Sequence, residues 1–337
     1  MTHDLLRLTA YFGERDRDGG RFLADTLMAA WAERGLRGSV LLRGAGGFGV
    51  KHHLRTDRLL TLSEDLPLVA SAVDRPEPIL AAARDTAARV GDGLVCLERA
   101  ASAVPPGNGD ELKLTLQLAR GGRPHVAAVD LLRRHGVAGA SVLLGVDGTA
   151  HGRRRRARFA GANRHVPVLV VAVGAGDRIA AALPELDAAF GEPLRTLERV
   201  RVCKRDGVRL AAPHPAPDPD PAMWHRLTVI CGEQSRHDGR PLADALVRGL
   251  RAAGAAGATV LRGIHGFHGE HAPHGDTLWQ LRRRVPVLVS TVDAPERCAR
   301  WFALIDELTA ADGLVLSERV PAYRATGPEI ALGDLRL

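Results

Sequence analysis

The chain has 337 residues, 45% of them hydrophobic and 25% charged, with a net charge of +7 at pH 7. That balance is typical of a globular protein with a sizeable core, and it excludes a disordered or fibrous chain. The longest apolar run, residues 166–173, contains Pro167 and is far shorter than the ~20 residues of a membrane-spanning helix.

The first hundred residues predict an alternation of strands and helices. Alternating apolar and polar residues indicate a half-buried strand, apolar residues at helical spacing indicate an amphipathic helix, and short β-branched runs indicate further strands. In chain order the predicted elements are strand Leu6–Phe12, helix Phe22–Arg34, strand Ser39–Leu42, strand Leu66–Val73, helix Ile79–Val90 and strand Leu94–Leu97. This order is the split βαβ, ferredoxin-like plan (βαββαβ), an α+β fold.

The same pattern returns near the end of the chain. Leu8–Glu14 recurs as Leu227–Glu233, and the same spacing relates Arg43–Phe48 to Arg262–Phe267. Both versions of the second segment read Arg-Gly-x-x-Gly-Phe. Self-similarity at this spacing predicts tandem copies of one small domain.

A third, more degenerate copy lies between these two. Gly136–Leu143 corresponds to Gly35–Leu42, and Leu197–Arg199 closes this copy as Leu97–Arg99 closes the first. Proline- and glycine-rich stretches separate the copies. We therefore predict copy one at residues 1–104, a degenerate copy two at 105–212, a proline-rich linker at 213–221 and copy three at 222–337.

Three motifs of copy one together resemble an uncharacterised bacterial family of PII-like proteins. They are Leu-Thr-x-x-x-Gly-Glu at Leu8–Glu14, Arg-Gly-x-x-Gly-Phe at Arg43–Phe48 and Leu-Ser-x-Asp-Leu-Pro at Leu62–Pro67. Copy three keeps the first two, and copy two keeps only the scaffold. The resemblance implies three ferredoxin-like subunits around a three-fold axis, with small ligands, commonly adenine nucleotides, between neighbours. Here one monomeric chain would supply the ring as a PII-like pseudo-trimer.

The resemblance also implies how such a protein acts. It predicts a regulatory protein that binds a small anionic effector, with an adenine nucleotide as the leading candidate, and signals to a protein partner through its loops. A membrane transporter is one candidate partner, because relatives of this family are associated with a fluoride channel. The positive net charge favours anionic ligands, although arginines spread over solvated faces explain it equally well. A scaffold that acts by protein contact alone is an alternative.

The shared Arg-Gly-x-x-Gly-Phe segments are the candidate ligand-binding residues. Glycines let backbone N–H groups approach a phosphate, arginine binds phosphate or carboxylate in a bidentate manner, and phenylalanine can cover a base. Equally well, the glycines shape the turn after the second strand while the arginines pair with glutamates. The candidates are Arg43, Gly44, Gly47, Phe48, Arg262, Gly263, Gly266 and Phe267, with Glu14 and Glu233.

Copy two has lost several of these residues. It carries Ala119-Arg120 where copy one carries Gly13-Glu14, Leu144 in place of the arginine, and Gly148-Thr149 in place of Gly-Phe. In a three-fold ring each cleft has walls from two neighbours, so only the cleft between copies one and three retains both. We expect one high-affinity effector per chain, and loss of its contacting arginine should weaken binding by more than about tenfold.

A histidine at every third position of the long loop in copy three raises a second hypothesis, a metal-binding or metal-tolerance protein. Imidazole binds zinc, copper or nickel, but glycines and a proline in the loop argue against a fixed geometry. A solvated histidine-rich loop is the simpler interpretation. The candidate ligands are His265, His268, His271 and His274.

Motifs of other functional classes are missing from the sequence. There is no HExxH, GxSxG or Walker motif, so we do not expect an enzyme. Only 4% of the residues are aromatic, so we do not expect nucleic-acid binding, and the run Arg153–Arg156 is interpreted as a solvated loop. Four scattered cysteines and an N-terminus without a leader pattern favour a cytoplasmic location.

Overall fold

The computed structural model describes residues 4–49, 55–56, 65–104, 110–150, 153–157, 166–268, 274–275, 285–327 and 330–336. In copy one the main elements are β1 (Leu5–Gly13), α1 (Leu23–Glu33), β2 (Gly38–Arg43), β3 (Gly46–Phe48), β4 (Pro67–Asp74), α2 (Pro76–Arg89) and β5 (Asp92–Ala100). Every predicted boundary in copy one lies within three residues of the observed one.

The other two copies repeat this order. Copy two contains β6 (Glu111–Ala119), α3 (Pro124–Arg134), β7 (Gly139–Ala150), β8 (Arg153–Arg156), β9 (Pro167–Ala175), α4 (Gly176–Phe190), β10 (Leu194–Arg199) and β11 (Arg201–Arg205). Copy three contains β12 (Met223–Gly232), α5 (Leu242–Ala252), β13 (Ala258–Arg262), β14 (His265–His268), β15 (Pro286–Asp293), α6 (Pro295–Leu308), β16 (Leu314–Thr326) and β17 (Ile330–Asp334). The remaining strands have two residues each: Arg17–Asp18, Arg21–Phe22, Arg55–Thr56, Val208–Arg209, Arg236–His237, Arg240–Pro241 and His274–Gly275. None of the helices in the described ranges is long and apolar enough to cross a bilayer.

Four strands of each copy form an antiparallel sheet in the same order. In copy one β1 pairs with both β4 and β5, and β2 pairs with β4, which gives the order β5-β1-β4-β2. Copy two repeats this order as β10-β6-β9-β7. Copy three repeats it as β16-β12-β15-β13. The first strand of each copy is therefore central in its sheet.

The two helices of each copy cover one face of its sheet and enclose a separate core. In copy one, Leu8 and Phe12 of β1 pack with Leu27 and Trp31 of α1 and with Ile79 of α2. Full burial of such side chains stabilises the fold by roughly 1.5–3 kcal/mol each. Copies two and three have corresponding cores. The alternation of β1 turns its other residues towards the opposite, inner face of the sheet.

Strand pairing joins the copies through the segment after each second strand. β3 of copy one pairs with β13 of copy three, and β14 of copy three pairs with β7 of copy two. The second half of β7 then pairs with β2 of copy one. Each copy extends onto one neighbour and receives an extension from the other, so the pairings close a ring and cover the sheet edges.

A second ring of pairings joins the last strands and runs in the opposite direction. Ala101, after β5, pairs with Leu197 of β10, β11 pairs with β16, and the end of β16 pairs with β5. The three sheets therefore surround a common axis with their inner faces together. Leu42, Leu143 and Ile230, one from each copy, belong to the same buried apolar cluster on this axis.

Candidate functional site

The second glycine of each shared motif lies at a joint between copies. Gly47 of β3 has a φ of 144° and Gly266 of β14 a φ of 156°. A Cβ on Gly47 would lie 2.3 Å from the carbonyl oxygen of Ala258, and one on Gly266 would lie 2.2 Å from that of Ala140. A side chain at either position would therefore separate the extension from the neighbouring strand.

Copy two keeps the glycine spacing although it has lost the arginine and the phenylalanine. A Cβ on Gly148 would lie 2.4 Å from the carbonyl oxygen of Ser39 in copy one. At Gly44, Gly145 and Gly263 the corresponding distances to the carbonyl oxygens of Pro67, Pro167 and Pro286 are 2.9, 2.4 and 3.0 Å. The second glycine of the spacing thus lies against the neighbouring copy in all three copies, whereas the first lies against a proline of its own copy.

The phenylalanine of the motif anchors the same joint. Phe48 of copy one is 3% exposed and packs into the core of copy three. Phe267 of copy three is 4% exposed and packs into the core of copy two. Each ring therefore fastens an extension to its neighbour by apolar burial.

The two motif arginines bind the glutamates that follow the first strands. Arg43 donates from Nε and Nη2 to the two carboxylate oxygens of Glu14, at 3.0 and 2.9 Å. Arg262 makes the same bidentate contact with Glu233, at 2.9 and 3.1 Å. This is the pairing that the sequence offered as the alternative to ligand binding. The side chains of Arg43 and Glu14 are 48% and 37% exposed, so the pair contributes little to stability.

Of the four candidate metal ligands, His265 alone has a described side chain, and His271 lies outside the described residues. The His265 ring centroid lies 6.4 Å from that of His125 in copy two. Burial, together with the nearby His265, lowers the pKa of His125 to about 4. Within the described ranges no three His, Cys, Asp or Glu side chains converge on a metal position. The metal hypothesis stays a prediction.

An open cleft lies between copies one and three. It encloses about 860 Å³, open solvent included, between the ends of β1 and β3 in copy one and β13, β15 and β16 in copy three. Tyr11 and Phe48 give it an apolar surface. Its polar lining residues are Asp16, Asp92, Thr259, Ser290, Thr291 and Arg324. In the described part of the wall Arg324 supplies the positive charge, and neither Arg43 nor Arg262 lines the cleft.

Arg324 is held firmly in this wall. Its Nη2 donates to the carbonyl oxygen of Val292 at 2.8 Å, and its Nη1 lies 3.4 Å from Oδ1 of Asp293. The guanidinium also stacks 4.6 Å from the centroid of the Trp224 ring. Burial lowers the pKa of Arg324, and the negative charge of Asp293 partly offsets this decrease. A guanidinium nevertheless stays charged in proteins. The cleft therefore contains a fixed cation.

The equivalent joint between copies one and two is much smaller, at about 280 Å³. Tyr11 pairs with Leu94 in copy one, and the matching pair in copy two is Gln117 with Leu194. Gln117 Nε2 donates to the carbonyl oxygen of Thr149 at 2.7 Å. A Cβ on Gly38 would lie 2.2 Å from Leu194 Cδ2 and 2.7 Å from Gln117 Oε1. These two side chains therefore fill the space that stays open at the other joint.

The inner faces of the three sheets meet in a buried cluster of six charged side chains, which we call the central ionic cluster. Its cations lie at matching positions of the three first strands, and its anions at matching positions of the three last strands. Each side chain is at most 10% exposed. The members are Arg7, Lys113, Arg226, Glu98, Glu198 and Glu318. Three positive and three negative charges balance.

Contacts within the central ionic cluster cross between copies. Lys113 Nζ lies 2.5 Å from carboxylate oxygens of both Glu198 and Glu318. Arg226 binds Glu318 at 2.8 and 2.9 Å and Glu98 at 2.5 Å. Burial by itself would raise the pKa of Glu98 and of Glu318, but Arg226 and Lys113 outweigh it. The pKa of Glu98 is held well below its usual range, and that of Glu318 is about 2.

The central ionic cluster was not among the features predicted from the sequence. Its signal was present, because a cation recurs at one inner-face position of each first strand and a glutamate recurs in each last strand. Within the sequence of a single copy, a charge at alternate positions of a strand indicates a solvated face. The triplication is what distinguishes a charge ring around an axis from a wet surface.

Fold and site together define a protein built from one α/β domain repeated around an axis, with an open cleft at the joint between copies one and three. The family model described as "Uncharacterized ACR, COG1993" (DUF190) matches residues 5–102, 118–202 and 224–322. These three segments cover most of the chain. The protein therefore belongs to this family and contains its domain three times.

Three solved structures show a distant similarity. The first is an unknown protein from Galdieria sulphuraria, with 16% identity, a TM-score of 0.20 and coverage of 59% of this chain and 99% of that one. The second, an aspartate kinase from Synechocystis, has 12% identity and a TM-score of 0.24, with coverage of 95% and 52%. The third, a novel heme-binding protein from Thermus thermophilus, has 11% identity and a TM-score of 0.18, with coverage of 63% and 91%. TM-scores this low carry no argument about function.

Proposed function

We propose that this protein is a PII-like regulatory protein, a pseudo-trimer of ferredoxin-like domains in one chain, that binds one small effector between copies one and three. The observation that carries the proposal is the difference between two equivalent joints. The cleft at one joint spans about 860 Å³, whereas Gln117 and Leu194 leave about 280 Å³ at the other, open solvent included in both values. The sheet order with the first strand central and the ring of strand pairings support the ferredoxin-like, PII-like part of the proposal.

The lining of the cleft favours an effector with a flat apolar part and an anionic part. Tyr11 offers aromatic surface, and Arg324 offers a fixed positive charge. An adenine mononucleotide has both features. Asp16 and Asp92 add negative charge to the same wall, so we expect AMP to bind at least as tightly as ATP does without a bound cation.

The protein acts, in this proposal, by binding rather than by catalysis. Effector binding changes how the loops after the second strands present themselves to a partner protein in the cytoplasm, and a transporter is the partner that the family resemblance suggests. The chain works as a monomer, because the strand edges that separate subunits would offer one another are paired within it.

Titration calorimetry with AMP, ADP and ATP tests the proposal. We expect one site per chain, and the ligand should raise the melting temperature, since 100-fold excess over Kd stabilises a native state by about 2.7 kcal/mol. A Cβ on Gly49 meets no atom within 4 Å, so Gly49→Trp can place its ring at the cleft without backbone strain. This variant should lose binding by more than about tenfold, the range of one strong contact.

The matched control is Ala150→Trp, which adds the same bulk after the glycine spacing of copy two, at the filled joint. It should bind AMP as the native chain does. Three equivalent sites, undiminished affinity in Gly49→Trp, or no binding of any of the three nucleotides would refute the proposal.

A further inference from the structure

Three residues at alternate positions of β1 lead from the central ionic cluster to the cleft. Arg7 belongs to the cluster and lies 2.9 Å from Glu198. Thr9 donates from its hydroxyl to Glu98 at 3.4 Å. Tyr11 lines the cleft. Because a strand turns every second side chain to the same face, this row is continuous from the axis of the molecule to its open joint.

Tyr11 touches both ends of this connection. Its ring packs against the apolar residues of the axis and against the group that contains Trp224. Burial raises the pKa of the Tyr11 hydroxyl, and the positive charge of Arg226 partly offsets this rise. The same guanidinium binds Glu98 and Glu318, and Glu318 is also bound by Lys113 of copy two. Two residues, Arg226 and Glu318, therefore lie between Tyr11 and Lys113 of copy two, a copy that forms no part of the cleft.

The other copies lack this connection at the matching position. Copy two has Gln117 there, whose amide is engaged with the carbonyl oxygens of Ser39 and Thr149. Copy three has Ile230, whose side chain has no hydrogen-bonding group. Of Tyr11, Gln117 and Ile230, it is Tyr11 whose side chain extends between the cleft and the central ionic cluster.

We propose that Tyr11 is a positioning residue that couples occupancy of the cleft between copies one and three to the central ionic cluster, and through Lys113 to copy two. The inference rests on the proposed function, since it describes how an effector in the proposed cleft would influence copy two. An effector against Tyr11 displaces the end of the row that Thr9 connects to Glu98, the carboxylate that Arg226 binds. In a buried network the charges polarise one another, so a change at Arg226 alters the pairing of Glu318 and Lys113. Coupling of this kind needs a contiguous set of contacts, which these residues provide.

Hydrogen exchange measured by mass spectrometry tests the coupling without a ligand. Lys113→Arg keeps the charge that copies one and three have at this position but changes its geometry. By reciprocity, a change at the cluster must be felt at the cleft. We expect Lys113→Arg to change amide exchange at residues 92–94 and 256–259 about fivefold, the lower range of allosteric coupling. With Tyr11→Phe added, the change should fall below about twofold.

The control is Tyr323→Phe, which removes the hydroxyl of the other tyrosine in the chain and should leave the fivefold change intact. Amides of α5 report whether stability has changed globally. If Lys113→Arg does not fold, Glu198→Gln perturbs the cluster from the same copy. An equal change at the cleft with and without Tyr11→Phe, or no change in any variant, overturns the inference.

A second arm uses saturating AMP as the probe. We expect protection at residues 256–259, and more remote protection at residues 111–119 of copy two that disappears in Tyr11→Phe. Remote protection that survives in Tyr11→Phe also overturns the inference. If AMP protects no residue, the proposed effector has failed, and the ligand-free arm still decides whether Tyr11 couples cleft and cluster.

Discussion

The joint between copies one and three and the joint between copies one and two share one backbone arrangement but differ in their side chains. Both are closed by an extension that pairs with a second strand, and in both a glycine permits the close approach. At one joint Tyr11 and Leu94 leave a cleft, whereas at the other Gln117 and Leu194 fill it. The ring therefore constrains backbone positions strictly, while side chains that face a joint can diverge.

The central ionic cluster shows the opposite behaviour. Its charges do not differ among the copies, because each copy contributes one cation and one glutamate. Loss of one member would leave an opposite charge buried without compensation, which is far more costly than filling a cleft. Copy two has therefore kept its charges in the cluster and the motif glycines while losing the arginine and the phenylalanine of the motif. The predictions below separate the two kinds of position.

The largest effect is expected at the cluster. Arg226→Met removes a cation that binds both Glu98 and Glu318, and breaking a buried pair in this way costs about 3–5 kcal/mol. Urea unfolding measures the loss. Arg262→Met, which breaks a partly exposed pair, should cost less than about 1 kcal/mol. An equal loss of unfolding free energy in the two variants would show that the central ionic cluster stabilises the fold no more than a partly exposed ion pair does.

The second-largest effect is expected from acid, which should destabilise the central ionic cluster. The pKa values of Glu98 and Glu318 are lower in the folded chain than the ordinary 4.5, so the folded state binds fewer protons than the unfolded state. Their contribution is therefore complete above about pH 5 and is lost as the pH falls towards about 2. We expect the free energy of unfolding to decline over this range. Replacing both glutamates by glutamine should flatten the decline, and an unchanged slope would contradict the assignment.

Substitution at the glycine joint should have an intermediate effect. Gly47→Ala places a Cβ 2.3 Å from a backbone oxygen at a φ of 144°, and we expect a loss of about 1–3 kcal/mol. The control is two residues away: Gly49→Ala meets open space and should change the stability by less than about 0.5 kcal/mol. Similar stability in both variants would mean that the extension does not need glycine to pair.

The smallest effect is expected at Arg43. Its pair with Glu14 is exposed, so Arg43→Met should cost less than about 1 kcal/mol in urea unfolding. Because Arg43 does not line the cleft, AMP affinity should change less than about threefold, below the loss of one charge-assisted bond. A loss beyond tenfold would instead support the ligand contact that the sequence suggested.

The sequence by itself determined the local structure and the division into copies. Helical and strand periodicities depend on neighbouring residues, so the elements of copy one could be placed within three residues of their observed ends. Correspondence between motifs located three copies, and the family match covers all three. The pairing of Arg43 with Glu14 was also among the sequence alternatives, and it forms because Arg43 ends β2 and Glu14 follows β1 of the same sheet.

The tertiary structure alone decided what the inner faces do. Alternation in β1 places Arg7, Thr9 and Tyr11 on one face, but it does not say whether that face meets water or another sheet. Burial depends on residues that lie more than a hundred positions away, such as Arg226, and no local pattern contains that information. The sequence likewise indicates that the motif glycines allow close approach of the backbone. A bound phosphate and a neighbouring strand both require such an approach. Only the position of the next copy distinguishes the two.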